Sequence, residues 1–222
     1  MEKLNINPIR QQRTTKEIVY SELKSAILNG QMKRGVIFTE TELANSLNTS
    51  RTPVREVVSD LIKDGLLVSI PRKGVKIREI SEEEKDQIAF LRLAIESEGV
   101  RQLAETITDD QLEELSLIVK EQEEAMEAND RLTYVELDQT FHRTILHFSN
   151  LYLLEEAFQS LYNLTRLIGH KALRKEGRMR EVIQEHFDII QSLKSKNAET
   201  AKASVKLHLT KTMDTATKTE ME

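Results

Sequence analysis

The chain has 222 residues, enough for two domains, and its net charge of −5 hides a division. Residues 1–78 carry a balance of +6 and residues 79–222 one of −11, which fits a small nucleic-acid-binding module joined to a part that does not bind nucleic acid. The absence of Cys excludes a disulfide frame and a thiolate metal site. No stretch approaches the ~20 apolar residues of a membrane span, and Met1–Ile18 lacks the apolar run of a secretory signal, so a cytoplasmic protein with no membrane partner is expected. Low aromatic content, few Gly and few Pro point to a mainly α fold.

Residues 1–15 are polar and read as a flexible arm. From Lys16 to Asn29, Ile18, Val19, Leu23, Ala26 and Ile27 recur at helical spacing up to Gly30, and a basic loop, Lys33-Arg34-Gly35, follows. Thr39 and Glu42 have the spacing of a capping box, so a short helix begins there. Asn48-Thr49 breaks it with a sharp turn, since Asn tolerates left-handed backbone. Ser50 suits the N-cap of a second helix, Pro53 its first turn, and Gly65 the position just past its end. Along that helix Val54, Val57, Val58, Leu61 and Ile62 form a stripe to be buried, and Arg51, Thr52, Arg55 and Ser59 run beside it. The planar fork of Arg matches phosphate and the O6/N7 edge of guanine, so such a helix–turn–helix is a DNA reader by geometry. Two β-branched runs, Leu66–Ile70 and Val75–Arg78, flank Pro71-Arg72-Lys73-Gly74. They predict a hairpin wing with Arg72 and Lys73 at its tip, placed for a phosphate backbone or a minor groove. Residues 16–78 thus read as a winged helix-turn-helix domain.

At these residues the chain resembles the GntR family of bacterial transcription regulators. The resemblance lies in Glu40-Thr41-Glu42-Leu43-Ala44, Ser50-Arg51-Thr52-Pro53-Val54-Arg55-Glu56, Asp64-Gly65-Leu66 and Gly74 of the wing; the Ser-Arg-Thr-Pro-Val-Arg-Glu run is highly specific to that family. It implies that Arg51 and Arg55 contact operator DNA, with Ser50, Thr52 and Gly74 close to it. Thr41 stands where some relatives carry a DNA-contacting Arg, and Asn48-Thr49 where Gly-Val is usual.

After a very short joint, Glu79-Ile80, a second capping box opens at Ser81. No strand pattern follows. Helical segments are expected over 82–106, 109–128, 131–149, 151–174, 178–195 and 198–216, with Thr108 or Asp109, Asp130, Asn150 and Asn197 as caps and Gly177 before the fifth. Short joints between long helices make antiparallel neighbours, so residues 79–222 read as an all-helical antiparallel bundle. Charge runs such as Glu121-Gln122-Glu123-Glu124 read as solvated faces.

The anomaly in this bundle is polar residues on apolar stripes. Asp138 and His142 share a face with Val135, Ile145 and Leu146; His186 sits amid Val182, Ile183, Ile189 and Ile190; His208 shares a side with Ala201 and Val205. A buried carboxylate must be paired or bound to a cation, and three imidazoles with one carboxylate suit Zn²⁺ or Ni²⁺ if they converge. Each His taken singly also has an ordinary reading as a core residue bonded to backbone. His147 shares its side with Arg143 and Thr144 and reads as exposed; His170, near Arg166 and Arg174, has no assigned role. Arg92 lies on an inward stripe with Ile88, Ala89 and Ile95, where an internal pair with Glu96 one turn away stands against a role in binding a carboxylate.

This half is similar to the ligand-binding FCD domain of the fatty-acid-regulator (FadR) subgroup of the same family. The matching residues are Leu91-Arg92, Asp138-x-x-Phe141-His142, Ser149-Asn150, Glu185-His186 and His208-Leu209. The resemblance implies that Asp138, His142, His186 and His208 bind one metal ion and that Arg92 faces an effector cavity. The expected function is a ligand-responsive regulator, a homodimer on a pseudo-palindromic double-stranded operator, with a small organic acid as effector. The alternatives are a purely structural metal with no effector, or a metal-dependent hydrolase fused to a DNA-binding domain. The hydrolase needs a general base, and Glu185, beside His186, points about 100° away from it on a helix.

Overall fold

The structure is a computed structural model that describes residues 13–172 and 177–218, apart from the side chains of residues 157, 159, 160, 169–172 and 216–218. Most of the expected N-terminal arm, the His170 side chain and Arg174 lie outside the described residues. The order of elements is α1 (Thr15–Leu28), α2 (Glu40–Ser46), α3 (Arg51–Lys63), β1 (Leu67–Ile70), β2 (Gly74–Ile77), α4 (Glu82–Thr106), α5 (Asp109–Glu127), α6 (Arg131–Phe148), α7 (Tyr152–Ala172), α8 (Arg178–Lys194) and α9 (Ala198–Lys218). A winged helix-turn-helix followed by an all-helical bundle is therefore the architecture. No helix among the described residues is long and apolar enough to cross a membrane.

Local chemistry sets the helix starts. Complete capping boxes open α1 (Thr14 with Glu17), α2 (Thr39 with Glu42), α4 (Ser81 with Glu84) and α5 (Thr108 with Gln111). Asn48 adopts the left-handed conformation expected of the turn, φ +48°. Two expectations about caps differ from the structure. Ser50 takes the N-cap backbone conformation of α3, yet its hydroxyl makes no capping bond and is left exposed. Asn150 does not cap α7. It closes α6 in a left-handed turn (φ +59°), its N–H donating to the His147 carbonyl and its side-chain oxygen accepting from the Tyr152 hydroxyl.

The wing is an antiparallel pair with Leu67 opposite Ile77 and Ile70 opposite Gly74. A further bridge ties it back to the loop before α2, Phe38 and Val75 exchanging two backbone hydrogen bonds of 2.8 and 2.9 Å. Gly74 makes that close approach possible. Its φ is +136°, and a Cβ there would lie 2.2 Å from the Phe38 carbonyl oxygen.

Two cores result. Val19, Leu23, Val54, Val57, Leu61, Leu67 and Ile77 join α1, α3 and the wing; of the stripe read from the sequence, Val54, Val57, Val58 and Leu61 are buried and Ile62 is partly exposed toward the cleft. Val100, Leu103, Leu115, Val119, Phe141, Ile189 and Val205 hold the bundle, in which α4 packs against α9 and α5 against α6 and α8. The two parts are braced beyond the short joint. Arg78 pairs with Glu84 across it, and Leu167 of α7 is buried in the N-terminal core while its carbonyl accepts from Arg34 at 2.8 Å.

Gly74→Ala should lower the stability of the full chain by about 2–3 kcal/mol in urea unfolding, through left-handed strain and the clash with Phe38. An unchanged midpoint would mean that the wing is not pinned at this point.

Candidate metal centre and nucleic-acid interface

The exposed side of α3 faces a broad cleft of about 450 Å³ between α2, α3 and the wing. Arg51, Arg55 and Ser59 of α3 line it together with Thr41 of α2 and Arg72, Lys73 and Gly74 of the wing. Arg51 is 69% exposed, and the Glu40 carboxylate 3.8 Å away holds it only weakly. Arg72 occupies the hairpin tip with φ +64°. Ser50 and Thr52 are exposed at the start of α3 but do not line the cleft. Five of the seven residues singled out for DNA contact therefore share one open concavity rich in cations.

In the bundle, Asp138 and His142 of α6, His186 of α8 and His208 of α9 converge, with one donor atom from each lying within 4.8 Å of the others. The three imidazoles are buried, and Asp138 is partly exposed. Each imidazole is oriented by its Nδ1. That of His142 meets Glu96 Oε2 at 2.7 Å, that of His186 meets Gln122 Oε1 at 2.9 Å, and that of His208 meets Glu185 Oε2 at 2.8 Å. An acceptor at each Nδ1 fixes the proton there and turns the Nε2 lone pair inward. The Nε2 atoms of His142 and His208 then face each other across 3.2 Å, and that of His186 is buried without a hydrogen-bond partner. Facing lone pairs and an orphaned buried acceptor cost free energy unless a cation lies between them. The set of three imidazoles and one carboxylate fits a borderline transition-metal ion.

The outer ring is itself charged and buried. Burial alone would raise the Glu96 carboxyl, but Arg92 and His142 outweigh it and hold it at about 2. Glu185 is brought to about 2 in the same way, burial being outweighed by His208 and by Arg178, whose two terminal nitrogens reach it at 2.8 and 2.9 Å. Burial lowers His186 and His208, which favours the neutral, ligating form.

The internal pair expected for Arg92 is present, and the same side chain also reaches a cavity. It pairs with Glu96 (Nε to Oε1 2.6 Å) and also lines an inner cavity of about 40 Å³ with Tyr134, Asp138, Thr165, Arg166 and Arg178. The ring behind the four converging residues has little signal in the sequence. Glu96 was visible only as a partner for Arg92. Gln122 lies in a run that reads as a solvated face, and it is instead fully buried, with exposed Glu121, Glu123 and Glu124 around it. Glu185 points away from His186 on its own helix and instead accepts from His208 on the next. His147 is exposed, as expected, against Glu155.

An arginine-bearing winged helix-turn-helix carried by a helical bundle with an internal polar site defines a class, the DNA-binding transcription regulators. Residues 15–77 match the model of the gntR family of bacterial regulatory proteins, and residues 87–211 match the FCD domain. The chain belongs to the GntR family, in its FCD-containing branch. It is 32% identical over 193 residues to the HTH-type transcriptional regulator YdhC of Bacillus subtilis, covering 85% of each chain. It is 25% identical to the HTH-type transcriptional repressor RspR of Escherichia coli, over 91% of this chain and 86% of that one. Among solved structures, Escherichia coli McbR/YncC has the same fold, with a TM-score of 0.77 at 23% identity over 93% of this chain and 99% of that chain. The relatives are regulators and both domains are regulatory types, so the chain is not an enzyme.

The depressed carboxyls fix the sign of an acid response. Groups held below their unfolded value contribute stability that is complete above about pH 4.5 and is lost as pH falls toward 2. Metal-stripped protein should therefore lose thermal stability steeply over that window, and Glu96→Gln should flatten the loss. A melting temperature flat from pH 5 to about pH 3 would contradict the pairing of these groups.

Proposed function

We propose that the bundle binds a divalent transition metal, Zn²⁺ or Ni²⁺, through Asp138, His142, His186 and His208, and that its occupancy and that of a small organic acid beside it control operator binding. The observation that carries this reading is the inward set of three imidazole Nε2 atoms, each oriented from behind by Glu96, Gln122 or Glu185. A bound ion supplies a positive charge that can receive an acidic group. The residues of the chain do the rest. Arg92, Arg166 and Arg178 line the cavity beside Asp138; each is paired with a glutamate, and the unpartnered Nε–H groups of Arg166 and Arg178 remain to donate to a carboxylate. Arg92 also lines an outer groove between α4 and α9, together with Phe90, Leu93, Leu209 and Met213.

The size of the inner cavity bears on mechanism. At about 40 Å³ it is too small for an organic acid as it stands, so residues around it must move to admit one. A ligand that requires such a displacement binds one arrangement of the helices better than the other, which is the condition for it to shift the equilibrium. The reading domain acts through Arg51 and Arg55 on bases, with Ser50, Thr52 and Gly74 close to the duplex and Arg72 and Lys73 on its backbone. One reader helix covers too few bases for specificity, so the active species is a homodimer on a pseudo-palindromic operator.

Two measurements test the two halves separately. His142→Ala should lose the metal by elemental analysis while far-ultraviolet circular dichroism is retained; stoichiometric metal in that variant removes His142 as a required ligand. Arg51→Ala and Arg55→Ala should each weaken binding to a duplex selected from random sequence by about 1–3 kcal/mol in anisotropy titrations, and affinity equal to wild type would place base reading elsewhere.

A further inference from the structure

One turn of α7 belongs to both domains. Thr165 and Arg166 line the inner cavity beside Asp138. The next residue, Leu167, is buried in the core of the winged domain, and its carbonyl accepts from Arg34 at 2.8 Å. One turn earlier, Leu164 packs over Gly65, the residue that ends the reader helix; a Cβ at Gly65 would meet its Cδ2 at 3.2 Å. Four consecutive residues therefore touch the ligand cavity, the N-terminal core and the end of α3.

That turn hangs on the segment of α6 that carries a metal-site carboxylate. Arg166 donates to Glu136 at 2.7 Å, and the Gln139 amide donates to the Tyr162 carbonyl at 2.7 Å. Glu136 and Gln139 lie on either side of Asp138 within one turn. Arg166 is buried, and its Nε has no hydrogen-bond partner, so its position depends on Glu136 and on the charges around it. Those charges include the winged domain. Burial lowers Lys24 of α1 and the Arg166 charge lowers it further, while Asp64, at the end of α3, and Glu136 act in the opposite sense. Asp64 in turn accepts from the Tyr20 hydroxyl of α1.

We propose that the turn Tyr162–Leu167 transmits the state of the Asp138 site to the reader helix, with Arg166 as the positioning residue that couples α6 to the winged domain. The inference rests on the metal reading above and adds the route by which it acts. An ion held through Asp138 fixes the α6 turn. Glu136 and Gln139 fix α7 with it, and Leu164 and Leu167 carry that constraint into the winged core and the end of α3. The packed interior transmits a small shift because it has little free volume to absorb one.

Hydrogen–deuterium exchange of the full chain, with and without Zn²⁺ and with Zn²⁺ content measured in parallel, tests this. In the wild type, Zn²⁺ should slow exchange in α8 and α9 and also in 15–28 and 61–66. In Arg166→Gln and in the milder Arg34→Gln, the slowing in α8 and α9 should remain while that in 15–28 and 61–66 falls to less than about half. Slowing of wild-type size at the N-terminal segments in both variants overturns the route. So does a wild type that binds Zn²⁺ and gains protection in the bundle alone. A wild type that fails to bind Zn²⁺ overturns both the route and the metal reading, and the Zn²⁺ measurement tells these failures apart.

Discussion

The bundle depends on how three buried imidazoles are held. An imidazole in a helical core has two nitrogens to satisfy, and here Glu96, Gln122 and Glu185 each take one. That leaves three lone pairs pointing at a common space together with the Asp138 carboxylate. Helices chosen only for packing would carry hydrocarbon at these positions, since a buried polar ring without a task costs stability. The acceptors are themselves held by buried cations: Arg92 on Glu96, and Arg178 on Glu185. The polar site is thus a layered network inside an apolar shell, and removing one member leaves another charged group uncompensated.

The same layering ties the site to the rest of the molecule. Arg92 belongs at once to the support of His142 and to the cavity wall, so a ligand that competes with Glu96 for its guanidinium acts on the imidazole behind it. Arg166 likewise faces both the cavity and the winged domain. Neither half is connected to the other by the chain alone. Arg78 with Glu84, Arg34 with the Leu167 carbonyl, and Leu164 over Gly65 brace the junction from different sides.

Most of the architecture was legible in the residues. Capping boxes at Thr39 and Ser81, the cap candidate at Thr108 and the valine–leucine stripe of α3 are local signals, and they place the starts of α2, α4 and α5 and the buried side of α3. The four converging residues were visible because each is a polar type on an otherwise apolar face. What stayed hidden depends on contacts between helices. Gln122 sits in a run of acids, and only the packing of α5 against α8 turns it inward to His186. Glu185 was judged by its angle to His186 on its own helix, whereas its partner lies on α9. The Phe38–Val75 bridge, which requires Gly at position 74, pairs two segments far apart in sequence and leaves no periodic trace. Asn150 was read as a helix start because Asn serves both as an N-cap and as a left-handed terminator; the backbone decides between them.

The central claim is that occupancy of the internal site governs how the reader helices meet DNA. The most direct test is a titration of one selected duplex with metal-stripped protein and with the same protein reloaded with Zn²⁺, alongside His186→Ala treated identically. A dissociation constant that changes on reloading in the wild type, and stays fixed in the variant, is the predicted result. Equal constants for stripped and fully reloaded wild-type protein would contradict the claim.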